Sequence, residues 1–164
     1  MSFEKNIKYV NINNYNIDIN HNKRLFNCLE SLVNDFEILN ITDYVITGST
    51  ALVLYYKKFY RTINDIDIYL STGALEKIKN LNNDHNFLKK YIIKKYFYSK
   101  IFDIKIHIFR MKENQKNIFT SYNYLLFNSV NLKCSKPEGV LLFKKMLKAS
   151  NQKHKDDIDF FKNY

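Results

Sequence analysis

Cysteine is scarce in this chain: Cys28 and Cys134 stand alone, too few for a disulfide framework and in no metal-ligand spacing. Their isolation predicts a reducing, cytoplasmic setting. Proline occurs once, glycine three times and tryptophan not at all. With no Gly/Pro/Ser-rich linker and no internal repeat, 164 residues predict one domain. A chain of that length buries roughly two-thirds of its unfolded surface without cross-links. The longest apolar run, Tyr44 to Tyr56, is interrupted by Gly-Ser-Thr and is too short to span a bilayer, and "MSFEKNIKYV" has no apolar leader segment. Neither export nor membrane insertion is expected.

Acidic residues are also in deficit, 16 against 26 Lys and Arg, giving a formal net charge of +10. Such a balance suits a polyanionic partner, nucleic acid above all. The surplus of Asn, Lys, Ile and Tyr is equally the mark of an A+T-rich coding bias, and the lysines are spread along the whole chain. Charge alone therefore leaves the partner open.

Hydrophobic periodicity supplies the elements. Residues 1–22 carry loose alternation with Asn punctuation and read as an arm or an edge strand, preceding a domain over 23–164. Leu25, Leu29, Leu32, Val33, Phe36 and Leu39 recur at helical spacing, predicting an amphipathic helix over 23–39. "DYVITG" reads as a buried strand, "STALVLYYKKF" as a helix from Ser49, and "NDIDIYL" as a second strand. A short helix follows over 74–81. "YIIKKYFY" and "IFDIKIHIFR" then read as antiparallel strands, because their link is too short for a crossover. "NSVNLKCS" is a further strand. In "SKPEGVLLFKKMLKAS", Ser135 and Glu138 have capping-box spacing, with Pro137 in the first helical turn. A last helix covers "HKDDIDFFKN". The sum is a compact α/β domain.

Among so few acids, Asp65 and Asp67 stand out. Two apart on a strand, they share a face while Ile66 and Ile68 enter the core. Like charges so close repel unless a cation lies between them, and hard oxygen ligands suit Mg²⁺. The bland alternative is a strand end with solvated acids. In "IFDIKIHIF", Asp103, Lys105 and His107 alternate with isoleucines, so Asp103 supplies a third carboxylate. His107 is either a further ligand or a structural hydrogen-bonding residue. Gly48 before a helix that opens at Ser49 permits close backbone approach to an anion at the helix N-terminus, although a tight turn explains it equally.

"ITGST…NDIDI…FDIKIHIF" resembles the DNA polymerase β-like nucleotidyltransferase superfamily: a hydrophobic residue, Gly-Ser, Asp-x-Asp and a later strand Asp. The small members are most similar, namely the abortive-infection-type toxin and lincosamide-type nucleotidyltransferases. The tail is similar too, through Glu138, Lys145, Lys148, Ala149, Lys155, Asp156 and Asp159. The resemblance runs from about Tyr44 to Phe161. It implies a mixed-sheet α/β (α+β) fold with flanking helices, and transfer of a nucleoside monophosphate from an NTP to a hydroxyl of tRNA or other RNA, a protein or a small molecule. It also implies two Mg²⁺ or Mn²⁺ ions on Asp65, Asp67 and Asp103, with Asp103 taking the acceptor proton. Gly48, Ser49, Thr50 and Arg61 would hold the nucleotide phosphates, Lys145 would face the triphosphate, and Asp156 would lie near that lysine or the acceptor. The interval from Ser49 to Asp65 is longer than the family's usual one, and Ile63 stands where many relatives have Thr. The competing class is a catalytically silent module of the same fold that binds nucleic acid or a partner protein. For the lysines of the penultimate helix the alternative is a solvated face, and for Asp156, Asp157 and Asp159 a favourable place near a helix N-terminus.

Overall fold

Asp18 opens the first helix: its side chain accepts a hydrogen bond from the His21 backbone N–H at 2.9 Å, as an N-cap does. The computed structural model describes residues 7–10, 16–110, 122–127, 130–147 and 151–162. Helix α1, Ile19–Ile38, buries Leu25, Phe26, Leu29, Leu32, Val33 and Phe36 along the face that the spacing predicts. It starts one turn earlier than the apolar pattern does, because capping and not hydrophobicity sets its beginning. A boundary at residue 22 would cut this helix. Asn22 is fully buried, accepts from the Ile63 N–H at 2.9 Å and thereby holds a distant loop.

Strand β1, Lys8–Tyr9, precedes α1 and pairs in parallel with β3, Lys58–Phe59, as a separate two-stranded sheet. Tyr9 stacks on Phe59 with centroids 5.0 Å apart, and Ile7 enters the core. Lys8 and Tyr9 thus form a strand, and the long interval between Ser49 and Asp65 is the segment that carries its partner.

A mixed sheet of seven described strands organises the rest, in the order β5-β6-β7-β4-β2-β9-β8. Its members are β2 (Tyr44–Thr47), β4 (Ile66–Leu70), β5 (Tyr91–Ile93), β6 (Phe97–Ser99), β7 (Ile104–Arg110), β8 (Tyr122–Phe127) and β9 (Val130–Ser135). The stretch "YIIKKYFY", expected as one strand, is the hairpin β5–β6. Strand β6 runs antiparallel to β7, as the short link requires. β4 pairs antiparallel with β2 and parallel with β7, in the register Thr47↔Asp67↔His107.

The pleat divides the central strands. Ile66, Ile68 and Leu70 join Ile106 in the main core beneath α1, whereas Val45 and Tyr69 pack with Phe109 and Phe143 on the opposite face. Helix α2, Gly48–Tyr56, is apolar on nearly all sides and accordingly buries Ala51 to Leu54. Two short helices, α3 (Thr72–Lys79) and α4 (Asn86–Lys90), follow β4. Helix α5, Pro137–Leu147, begins at Pro137, but Ser135 does not cap it: that residue ends β9, and the Lys136 carbonyl accepts from the Gly139 and Val140 N–H groups. Helix α6, Gln152–Phe161, closes the described chain, with Phe161 stacked on Tyr56. Burial pushes the thiols of Cys28 and Cys134 up to about 12, so both behave as core residues. Among the described residues no helix is long and apolar enough to cross a membrane.

Candidate active site

On the sheet face opposite α1 lies a cleft of about 350 Å³ whose walls include Thr47 to Ser49, Asp65, Asp67, His107 and Lys144. Asp67 sits on β4 and Asp65 one residue before that strand. His107 is the β7 residue in register with Asp67. His107 Nδ1 lies 3.2 Å from Asp67 Oδ1 and 3.5 Å from Asp65 Oδ2. One donor atom from each of the three falls within 4.8 Å of the others, a spacing at which a single cation could be shared. Burial and then the Asp67 charge push the Asp65 carboxyl above its ordinary range. The Asp67 hydrogen bond, opposed by burial and reinforced by Asp65, raises His107.

The backbone beside these carboxylates is shaped to admit them. Gly48 has φ +66°, in the left-handed region, and a Cβ there would overlap Asp67 Oδ2. The glycine that the sequence offers as room for a phosphate is therefore also room for Asp67. Thr50 is fully buried and donates through Oγ1 to the Asp65 carbonyl at 3.3 Å. Its role is to pin the loop that presents Asp65.

A second constellation closes the cleft from the C-terminal helices. Asp157, on α6, is fully buried and accepts from Tyr60 Oη, from Arg61 Nε and Nη2 at 2.8 Å each, and from Ser49 Oγ at 2.8 Å. Lys144 Nζ, on α5, approaches the same carboxylate at 2.9 Å and donates to Ser49 Oγ at 3.0 Å. Burial alone would raise the Asp157 carboxyl; Arg61, Lys144 and Tyr60 outweigh it and hold it well below the usual carboxylate range. Two cations face one carboxylate, leaving one positive charge in excess where Arg61 and Lys144 border the cleft. His154 lies 3.4 Å from Lys144 Nζ, and burial followed by that charge lowers its pKa.

Several sequence expectations change here. Asp103 does not join Asp65 and Asp67: it lies in the turn before β7 at φ +55°, exposed and hydrogen-bonded by Tyr98 Oη. The alternation of "IFDIKIHIF" continues past the true strand start, so it shifts the third polar residue from His107 back to Asp103. Lys145 is exposed and Lys144, its neighbour, is the buried lysine of the site. Asp156 is half-buried and accepts from Gln152 Nε2 at 2.9 Å, whereas Asp157 points inward. The Ser49 hydroxyl is occupied by Asp157, Arg61 and Lys144, which leaves the α2 N-terminal backbone as its contribution toward an anion. Lys148 and Ala149 lie outside the described residues. Lys144 and Asp157 were detectable: Val140 and Lys144 are i, i+4, and Asp157 precedes Phe160 and Phe161 by the same helical steps, so each shares a buried face with apolar neighbours.

No family model and no curated protein matches the chain. Solved structures do. An antigenic nucleotidyltransferase-like protein from Paracoccidioides brasiliensis superposes with a TM-score of 0.64 at 17% identity, over 84% of this chain and 75% of that one. ANT(2″)-Ia, solved in complex with adenylyl-2″-tobramycin, superposes with a TM-score of 0.57 at 12% identity, over 82% of this chain and 86% of its own. The single mixed-sheet α/β domain described here has the fold of nucleotidyltransferases.

Proposed function

We propose that this chain is a metal-dependent nucleotidyltransferase, moving a nucleoside monophosphate from an NTP to an acceptor hydroxyl with release of pyrophosphate. The observation that carries this reading is the meeting of Asp65 and Asp67 with the α2 N-terminus and the Arg61–Lys144 pair around one cleft. Two carboxylates at this distance need a counter-cation, and their oxygens suit a divalent ion such as Mg²⁺ or Mn²⁺. Such an ion, when bound, would orient the triphosphate and favour ionisation of the acceptor hydroxyl.

The chain's own residues supply the rest. Arg61 and Lys144, fixed by Asp157, keep positive charge beside the α2 N-terminus, where the charge of a departing pyrophosphate would be stabilised without rearrangement. Tyr69, Phe109 and Phe143 offer an apolar wall on which a base can rest. Asp65 and Asp67 would position the ion, with the nucleotide between them and the cationic wall.

A silent module that binds nucleotide without transferring it is the second reading. It is favoured by one observation: among the described residues, His107 and no third carboxylate accompanies Asp65 and Asp67. One experiment separates the two. Purified protein is incubated with each labelled NTP, Mg²⁺ or Mn²⁺, and total RNA or cell lysate. Label appearing on RNA, protein or a small molecule supports transfer and identifies the acceptor. Nucleotide binding with no labelled product under any condition rejects transfer and favours the module. Should RNA be labelled, log affinity for it should fall with log salt by about 0.7 per phosphate contact.

A further inference from the structure

We infer that His107 completes the metal site, and that the site consequently selects a first-row transition divalent cation over Mg²⁺. The inference deepens the proposed function and rests on it for the presence of a metal. It begins from register. β4 and β7 are parallel, and the residue opposite Asp67 is His107, so the third donor on this face is an imidazole nitrogen. Its Nδ1 lies 3.2 Å from one carboxylate oxygen and 3.5 Å from the other. Adjacent ligands around a small octahedral ion at about 2.1 Å are about 3 Å apart, so the three donor atoms already have the spacing of neighbouring ligands.

Chemistry then sets the preference. Mg²⁺ is hard, takes oxygen donors almost exclusively and gains little from an imidazole, whereas transition divalent ions accept nitrogen readily. The residue that would supply an all-oxygen set, Asp103, is held in the preceding turn by Tyr98. Two carboxylates and a neutral imidazole also balance the charge of one dication.

Metal binding tests this without relying on turnover. The full chain is titrated with MnCl₂, following loss of the free-ion electron paramagnetic resonance signal, and with MgCl₂ in competition; the wild type is compared with His107→Ala and His107→Asp. Even outer-shell partners of metal ligands are worth about 10–100-fold in affinity, so a direct ligand should be worth at least tenfold. The wild type should prefer Mn²⁺ by about that factor, His107→Ala should lose the preference, and His107→Asp should move it toward Mg²⁺. Substoichiometric Mn²⁺ should also broaden the His107 ring resonances selectively. A Mn²⁺/Mg²⁺ ratio unchanged in His107→Ala, unbroadened ring resonances, or failure of the wild type to bind either ion overturns the inference. Labelled transfer beside an unchanged ratio or unbroadened ring resonances leaves the proposed function standing and removes His107 alone, and absence of transfer beside a His107-dependent preference does the reverse; labelled transfer by a wild type that binds neither ion removes the metal from both.

Discussion

Gly48 and Asp67 share a space that no further atom can enter: a Cβ on Gly48 would occupy the position of Asp67 Oδ2. Gly48→Ala therefore has two costs. The left-handed backbone loses about 1–2 kcal/mol for a residue with a side chain, and the carboxylate must swing away. We expect lower stability in denaturant unfolding together with weakened metal binding. Gly73→Ala is the control: it lies in α3 with its nearest outside atom 4.0 Å away. It should be neutral or stabilising.

Burial and then the Asp67 charge push the Asp65 carboxyl above its ordinary range, so folding disfavours its charged form. A carboxylate whose folded pKa exceeds its unfolded one lowers stability at pH above the folded value, and that loss fades as pH falls through it. Asp65→Asn should thus raise the melting temperature slightly at neutral pH while abolishing transfer. The melting-temperature difference between variant and wild type should shrink in acid. A variant less stable than wild type at neutral pH would contradict this account.

Asp157 behaves oppositely. Its pKa is held below the usual range by Arg61, Lys144 and Tyr60 despite burial, so its stabilisation is full above the unfolded value of about 3.9 and is lost as pH falls further through the folded one. Removing it leaves Arg61 and Lys144 buried without their counter-charge. Breaking a buried pair in this way costs about 3–5 kcal/mol. Asp157→Ala should show that loss in urea unfolding, and wild-type stability should hold down to the ordinary carboxylate range before declining.

Adjacent lysines provide a test at single-residue resolution. Lys144→Met removes a cation in contact with Ser49 and Asp157, whereas Lys145→Met changes an exposed side chain. NTP affinity should drop in the first and stay within about twofold of wild type in the second, a surface change being worth no more than about 0.5 kcal/mol. Isothermal titration with a non-hydrolysable NTP analogue measures both.

The fold was legible where burial enforces a period. Leu25 to Phe36 revealed α1, and Ile66 and Ile68 revealed β4 together with the shared face of its aspartates. Boundaries set by single hydrogen bonds were not legible: Asp18 extends α1 beyond its apolar pattern, and Lys136, not Ser135, precedes α5. The hairpin turn at residues 94–96 was hidden because its lysines and tyrosine fit a strand as well as a turn. Of the residues lining the cleft, Asp65, Asp67 and Gly48 were singled out from local pattern, and Arg61 from the family resemblance. Lys144 and Asp157 stand at the cleft where the resemblance offered their neighbours Lys145 and Asp156, and His107, read as a ligand or a structural hydrogen-bonding residue, stands beside Asp65 and Asp67 where Asp103 was expected, since the side that faces the cleft depends on helix rotation and strand register, which neighbouring elements determine.

The bond between Ser49 and Asp157 joins residues 108 apart in sequence. Closing so long a loop costs about 4 kcal/mol of chain entropy before any contact compensates. The cationic wall of the cleft therefore cannot mature locally, as a hairpin or an isolated helix does. It is complete only when α6 docks against α2. Until then Arg61 and Lys144 share only the Ser49 hydroxyl and lack the carboxylate that holds them both. The cationic wall is thus a product of the whole topology and of no single segment.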